Sequence, residues 1–357
     1  VISLGVGEPD FSTPWAVRKT AITSLEKGKT FYTANAGLIE LRTAICDYIK
    51  AKTNLEYHPT NEVIVTVGGS EAIDIGIRAL VTPGDEVLIV EPSFVCYAPL
   101  VALTGGIPVP IETTAENKFK LTAEALKAKI TPKTKVLIFP FPNNPTGAVM
   151  KKEDLEPIAE VLRGTNIVVI SDEIYSELTY GFKHTSIAEL DGMQERTLLI
   201  NGFSKTFAMT GWRLGYVAGP QPIIAQMLKL HQYAIMCSPT VSQYAAISAL
   251  THCSDEVKKM VSECDIRRRY LVDNFNRIGL TCFEPEGAFY VFPCIKSTGL
   301  SSEDFCETLV KQYKVAVVPG NAFGDCGEGF IRVSYAYSLK HLIEAMTRIE
   351  QFIETLK

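Results

Sequence analysis

The sequence predicts an α/β protein: an open, mostly parallel mixed sheet flanked by helices, followed by a smaller α+β lobe. Three observations carry this. From Glu62 to Val217, short apolar runs alternate with amphipathic stretches, the pattern of strands that return through helices to parallel neighbours. The runs are apolar throughout rather than at every second residue, so both faces of the sheet are covered. Beyond residue 270 the alternation lapses into unevenly mixed strands and helices. The expected division is 15–270 for the large unit, with 1–14 and 271–357 forming the small one.

The elements follow in order. Pro14 to Lys27 has helical spacing, with Thr13 as a cap and Pro14 at the first helical position. Leu38 to Lys52 is an amphipathic helix. Strands are expected at Val63–Val67, Val87–Val90, Ile107–Ile111, Val136–Phe139, Ile167–Ile170, Thr197–Ile200 and Leu214–Val217. Helices between them are expected at Ala72–Leu80, Leu121–Lys129 and Lys152–Leu162. Pro222 to Leu250 reads as mostly helical. Asp255 to Ile278 reads as a long helix whose charges, Arg267 and Arg268 among them, form a solvated face. The tail carries strands at Phe289–Phe292, Val315–Val318 and Phe330–Ser334, and helices at Ser302–Tyr313 and from Leu339.

Bulk properties exclude several classes. With 357 residues and 46% hydrophobic content, the chain buries one large core, or a large and a small unit sharing one. The net charge of −5 offers no basic patch to a nucleic acid. No apolar run approaches the roughly eighteen residues of a membrane span. The nine cysteines are scattered without zinc-type spacing and read as free thiols of a reducing cytoplasm. The five histidines are isolated, so no metal site is expected. Gly5-Val-Gly-Glu-Pro-Asp10 lacks the third glycine of a dinucleotide fingerprint, and Pro9 blocks the helix it would need. Gly7 is instead a candidate for close backbone approach to a substrate. The opening on Val1, already within an apolar segment, leads us to expect natural residues before it.

Polar candidates fall at equivalent places. Ser70, Asn144, Asp172 and Lys205 each follow a buried strand, and open parallel sheets bind ligands at the carboxyl ends of their strands. Lys205 lies between Ser204 and Arg213 in Asn201–Tyr216. A lysine forms a Schiff base with an aldehyde once its surroundings favour the free amine. The hydroxyl and the arginine suit a phosphate, and an aldehyde that carries a phosphate is pyridoxal phosphate. The other candidates meet that cofactor's needs. Asp172 would keep the ring nitrogen protonated. Asn144 and Tyr175 are available to the ring 3-oxygen, and Ser70 opens a helix whose free amides suit phosphate. Phe94 or Tyr97 would stack on the ring. Arg332, inside a tail strand, needs a partner if buried, and a substrate carboxylate is a natural one.

Seven stretches together resemble the class I aminotransferases of fold type I: Ser3-Leu-Gly-Val-Gly-Glu-Pro-Asp-Phe11, Tyr32–Arg42, Gly68-Gly-Ser-Glu-Ala72, Pro142-Asn-Asn-Pro-Thr-Gly147, Ser171-Asp-Glu-Ile-Tyr175, Ser204–Arg213 and Ile331-Arg-Val-Ser334. The resemblance implies an aminotransferase of aspartate, aromatic or N-acetyl-diaminopimelate type, moving an amino group between an L-amino acid and a 2-oxo acid in ping-pong fashion. It implies Lys205 as the Schiff-base lysine and proton carrier, Asp172 against the pyridinium, and Asn144 with Tyr175 on the 3-oxygen. It further implies a phosphate cup of Gly69, Ser70, the Glu71 backbone, Ser204 and Arg213. Arg332 would clamp the substrate α-carboxylate near Gly7, with Phe94 where many relatives stack a larger aromatic ring. Tyr32 would reach the phosphate of a neighbouring subunit, making the active form a homodimer. Two alternatives share the fold: C–S lyases, and the ligand-sensing domains of some regulators. Met209-Thr-Gly-Trp-Arg213 and Asp172-Glu-Ile-Tyr175 look like the transaminase forms, and no basic DNA-reading segment precedes Gly5.

Overall fold

The computed structural model describes residues 1–356. In chain order the elements are β1 (Ile2–Ser3), α1 (Trp15–Glu26), α2 (Ile39–Lys52), β2 (Val63–Thr66), α3 (Gly68–Leu80), β3 (Glu86–Glu91), α4 (Tyr97–Leu103), β4 (Ile107–Glu112), α5 (Ala123–Lys129), β5 (Thr134–Phe139), α6 (Lys152–Arg163), β6 (Val168–Asp172), β7 (Thr197–Gly202) and β8 (Gly215–Ala218). There follow α7 (Gln221–Ala234), α8 (Thr240–His252), α9 (Ser254–Arg277), β9 (Tyr290–Val291), α10 (Ser302–Tyr313), β10 (Val315–Ala316), β11 (Val318–Pro319), β12 (Ile331–Ser334) and α11 (Leu339–Glu354).

The central sheet has seven strands in the order β2-β8-β7-β6-β5-β3-β4. Strands β4, β3, β5, β6 and β7 run parallel. Alternate residues of one strand enter different cores, as the two-residue period of a strand requires. Val87, Ile89, Val136, Ile138 and Ile170 pack with α3 and α7 through Ile73, Ile77, Ile224 and Met227. Leu88, Val90, Leu137, Phe139 and Val169 face Leu126, Leu155 and Ile158 of α5 and α6. Each such side chain removed from water contributes about 1.5–3 kcal/mol, which explains why the strands carry no polar face.

Two expected features gain detail, and two further expectations are corrected. Strand β8 is antiparallel to both its neighbours, β2 and β7. The connection 203–214 crosses no face of the sheet, so β8 returns directly beside β7. The helical reading of 222–250 breaks between Ala234 and Thr240, where Pro239 precedes a new helix. The run Val315–Val318 splits: β10 pairs with β1 in parallel, while β11 pairs with β12. The charged face of α9 is not wholly solvated. Arg267 and Arg268 are only 4% and 7% exposed. Burying them is tolerated because Arg267 meets Asp10 and Glu263, and Arg268 meets Asp265 and Glu284.

The tail strands form a three-stranded sheet, β11-β12-β9. Its core joins Tyr290, Val291, Ile331 and Val333 to Leu342, Met346 and Ile349 of α11, and to Leu4 near the chain start. This core also takes in Tyr175 and Leu178, which follow β6. The tail is therefore docked against the carboxyl ends of the central strands.

Candidate active site

A cleft of about 270 Å³ lies where the tail sheet meets those strand ends. Gly7, Gly69, Ser70, Phe94, Asn144, Asp172, Tyr175, Ser204, Lys205, Arg213 and Arg332 all line it. Two sequence candidates do not. The Glu71 side chain turns away, accepting from the Val67 amide and bonding His231 Nδ1 at 2.7 Å. Tyr32 is 81% exposed and outside the cleft of its own chain.

The phosphate side is built on glycine. Gly68 has φ +77°, and a Cβ there would meet Arg213 Nη2 at 2.7 Å. A side chain at 68 would thus push the guanidinium off the start of α3. No side chain caps that helix start, leaving its first amides available to an anion. Arg213 itself holds φ +50°, a left-handed conformation that costs a non-glycine residue about 1–2 kcal/mol. Phe203, Phe207, Met209 and Leu214, all buried in the core against α2 and α8, pin the loop in this shape.

Asp172 ends β6 at 8% exposure. Tyr97 donates its hydroxyl to Asp172 Oδ2 at 2.7 Å, and the Ile174 amide donates to Oδ1 at 3.2 Å. Burial pushes the Asp172 carboxyl up; the Tyr97 hydroxyl and Ile174 amide oppose this. Tyr97 is therefore a carboxylate donor rather than the stacking ring weighed for it, and its ring packs edge-on against Phe94. Sequence reasoning placed Tyr97 nearby but could not give its hydroxyl a partner, since Asp172 is distant in the chain.

Lys205 donates to the Gly7 carbonyl at 2.5 Å. Burial lowers its ammonium to about 8, with Arg213 and Arg332 acting in the same sense and Glu8 and Asp172 opposing. The amine is thus kept close to its free, nucleophilic form at neutral to mildly alkaline pH.

Arg332 is 7% exposed. It donates to Asn144 Oδ1 at 2.8 Å and to the Gly5 carbonyl, and its ring contacts are Tyr290 at 4.5 Å and Phe323 at 4.7 Å. Its Nε has no partner. Asn143 holds the loop by bonding Pro140 and Thr146, which leaves its neighbour Asn144 facing the cleft. Tyr290, unremarked in the sequence, bonds the Tyr175 hydroxyl at 2.9 Å. A Cβ at Gly7 would lie 2.0 Å from the Tyr290 hydroxyl, so only glycine fits there.

The charges of the cleft share one property. Among the described residues, no carboxylate pairs with Arg213 or Arg332, and no cation pairs with Asp172. A buried charge is normally neutralised; Asp172 and Arg332 are buried without a charged partner, while Arg213 is exposed. The profile of the family described as aminotransferase class I and II matches residues 1–349. The chain belongs to that family.

A Bacillus subtilis relative, named as an aminotransferase, is 55% identical over 99% of this chain and 92% of its own length. The aspartate aminotransferase of Pyrococcus abyssi is 49% identical over 100% of this chain and 92% of its own. The solved aromatic aminotransferase from Pyrococcus horikoshii superposes with a TM-score of 0.98 at 48% identity, covering 99% of this chain and 96% of that one. This aminotransferase therefore has the fold-type I architecture expected of it, and the lyase and sensor readings are not favoured. The family is one that uses pyridoxal phosphate. Nothing among the described residues groups as a metal centre, and no helix among them is long and apolar enough to cross a membrane.

Proposed function

We propose that this aminotransferase holds pyridoxal 5'-phosphate in the cleft and works by the ping-pong scheme on an amino donor of aspartate, aromatic or N-acetyl-diaminopimelate type and a 2-oxo acid. The observation that carries the reading is the trio of unpaired charges around one amine. A phosphate answers Arg213, a cationic ring nitrogen answers Asp172, and a substrate carboxylate answers Arg332. The residues present thus fit the cofactor in charge and in donor chemistry.

The cofactor, when bound, supplies an aldehyde and a cationic ring that draws electrons from the substrate α-carbon. The chain's own residues do the rest. Ser70, Ser204, Arg213 and the amides of Gly69 to Glu71 hold the phosphate, and Phe94 covers the ring. Asp172, steadied by Tyr97, keeps the proton on the ring nitrogen. Asn144 and Tyr175 bond the 3-oxygen. Arg332, with Asn144 and the Gly7 backbone, orients the substrate by its carboxylate. Lys205 Nζ would take the proton from the substrate α-carbon and return it to the carbon that came from the cofactor's aldehyde, a transfer suited to an amine that titrates at about 8. Adding pyridoxal phosphate and a panel of amino donors, with 2-oxoglutarate as acceptor, tests this: stoichiometric 2-oxo acid is expected. Ammonia or thiol release instead would overturn it. The panel of aspartate, aromatic amino acids and N-acetyl-diaminopimelate chooses the donor.

We also propose a homodimer with shared sites. Support comes from Phe31 and Tyr32, both 81% exposed, and Tyr233, 84% exposed. They lie on segments tied together by Asn35 to Met236 and by Thr240 to Phe31. Tyr32 of a second copy would complete the phosphate cup. A sedimenting species of twice the chain mass is expected. The division at 15–270 against 1–14 with 271–357 belongs to the same proposal. So does a reducing, cytoplasmic setting, in keeping with nine free thiols.

A further inference from the structure

Tyr290 sits where three functional groups of the cofactor cleft converge. Strand β9 carries it beside β12 in antiparallel register, opposite Ser334. Arg332 lies two residues before Ser334, so it shares a face of the sheet with Tyr290 as a diagonal neighbour, a spacing that long and aromatic side chains bridge. The guanidinium accordingly rests against the Tyr290 ring, 4.5 Å from its centre, and against Phe323 at 4.7 Å. At the far end of the ring the hydroxyl meets that of Tyr175, 2.9 Å away. It also fills the space beside Gly7, where even a Cβ would collide with it. Gly7 in turn holds Lys205 through its carbonyl.

The ring belongs to the core under the tail sheet, with Phe289, Ile331 and Val333. A phenylalanine would fill that core without the cost of burying a hydroxyl. What the oxygen adds is the bond to Tyr175.

The direction of that bond follows from the protons available. Burial raises both phenols, so each keeps its one proton at neutral pH. With the Tyr175 proton directed to the ring 3-oxygen, the 2.9 Å contact persists only with Tyr290 as donor. A donor on the Tyr175 oxygen polarises its O–H and strengthens the bond that it gives. Asn144 makes a parallel link. Its Oδ1 accepts from Arg332, which leaves its amide N–H groups for the same 3-oxygen.

We propose that Tyr290 is a positioning residue: its hydroxyl donates to Tyr175 and turns that residue's proton onto the ring 3-oxygen, while its ring is the shelf on which Arg332 meets the substrate carboxylate. The proposal rests on the reading of the cleft as a pyridoxal phosphate site.

Two readouts separate the hydroxyl from the ring. A donor on the 3-oxygen favours its negative charge and so lowers the pH at which the bound cofactor gives up its proton. That midpoint is read from the absorbance of the loaded chain, with no substrate present. Tyr290→Phe is expected to raise it by about 0.5–1 pH unit, the effect of one weakened hydrogen bond. Tyr175→Phe should raise it at least as much. The double variant should go no further than Tyr175→Phe alone, because the two hydroxyls act in series. The second readout is KM for the best amino donor. Tyr290→Phe keeps the ring and should leave KM within about twofold, whereas Tyr290→Leu removes the shelf and should raise it about tenfold.

An unmoved midpoint in Tyr290→Phe, additive shifts in the double variant, or equal KM values in Tyr290→Phe and Tyr290→Leu would overturn the proposal. Should Tyr290→Leu fail to fold, the midpoints decide alone. A shift in Tyr175→Phe but none in Tyr290→Phe dismisses Tyr290 and leaves the cofactor reading standing. No shift in either removes Tyr175 from the 3-oxygen, and the proposal with it.

Discussion

Two sets of charges in this molecule behave in opposite ways. On α9, Arg267 and Arg268 are each closed by carboxylates from their own helix and from distant segments. In the cleft, Arg213, Arg332 and Asp172 have only neutral partners. The first set is complete within the chain and ties the arm at Asp10 and the loop at Glu284 to the helix. The second set is incomplete, and its incompleteness is what a charged cofactor and substrate would resolve. A buried charge therefore reveals its purpose by its partner more than by its depth.

Substitutions sharpen this contrast, the most damaging first. Lys205→Ala should keep the fold and lower turnover by about 10⁴-fold, since the proton carrier is gone. Steady-state rates together with an unchanged circular dichroism spectrum check this. Asp172→Ala should still bind pyridoxal phosphate but lose about 10²–10³-fold in kcat, as expected when one partner of a buried ion pair is removed. Arg332→Ala should raise KM about 10²-fold through lost charge-assisted hydrogen bonds, with the melting temperature unchanged or higher. Arg267→Ala is its counterpart: it leaves Asp10 and Glu263 facing an empty site and should destabilise the fold by about 3 kcal/mol. A stability loss in Arg332→Ala equal to that in Arg267→Ala would erase the distinction.

Smaller effects follow. Tyr97→Phe removes one hydrogen bond to a charged acceptor and should cut kcat about tenfold. The pH dependence has a definite sign. Burial lowers Lys205 to about 8 in the folded chain, from the 10.5 of an ordinary lysine. Between these values the unfolded chain binds more protons, so the cofactor-free protein should gain stability as pH rises from 8 towards 10.5. Labelling of Lys205 by an aldehyde and borohydride should rise through a midpoint near 8. A midpoint near that of an ordinary lysine would show that burial does not depress it.

Much of the cleft is legible in the sequence because its residues follow apolar runs that could only be strands. Ser70, Asn144, Asp172 and Lys205 inherit their placement from that pattern. What escapes depends on contacts between distant positions. Nothing local in Leu214–Val217 states that β8 runs backwards. The charges of Arg267 and Arg268 look like solvent-facing residues because Asp10 and Glu284 lie far off in the chain. The bonds between Tyr97 and Asp172 and between Tyr290 and Tyr175 are equally invisible to periodicity.

The first thirteen residues work as a thread sewn through both sides of the cleft. Gly5 accepts from Arg332, Gly7 accepts from Lys205, Glu8 from Thr210, and Thr13 donates to Ala208 while Asp10 holds Arg267. The carboxylate clamp and the reactive amine thus hang from carbonyls two residues apart on one short strand of backbone. If Lys205 commits its nitrogen to the proposed cofactor, the Gly7 carbonyl loses that stitch while Gly5 keeps its bond to Arg332.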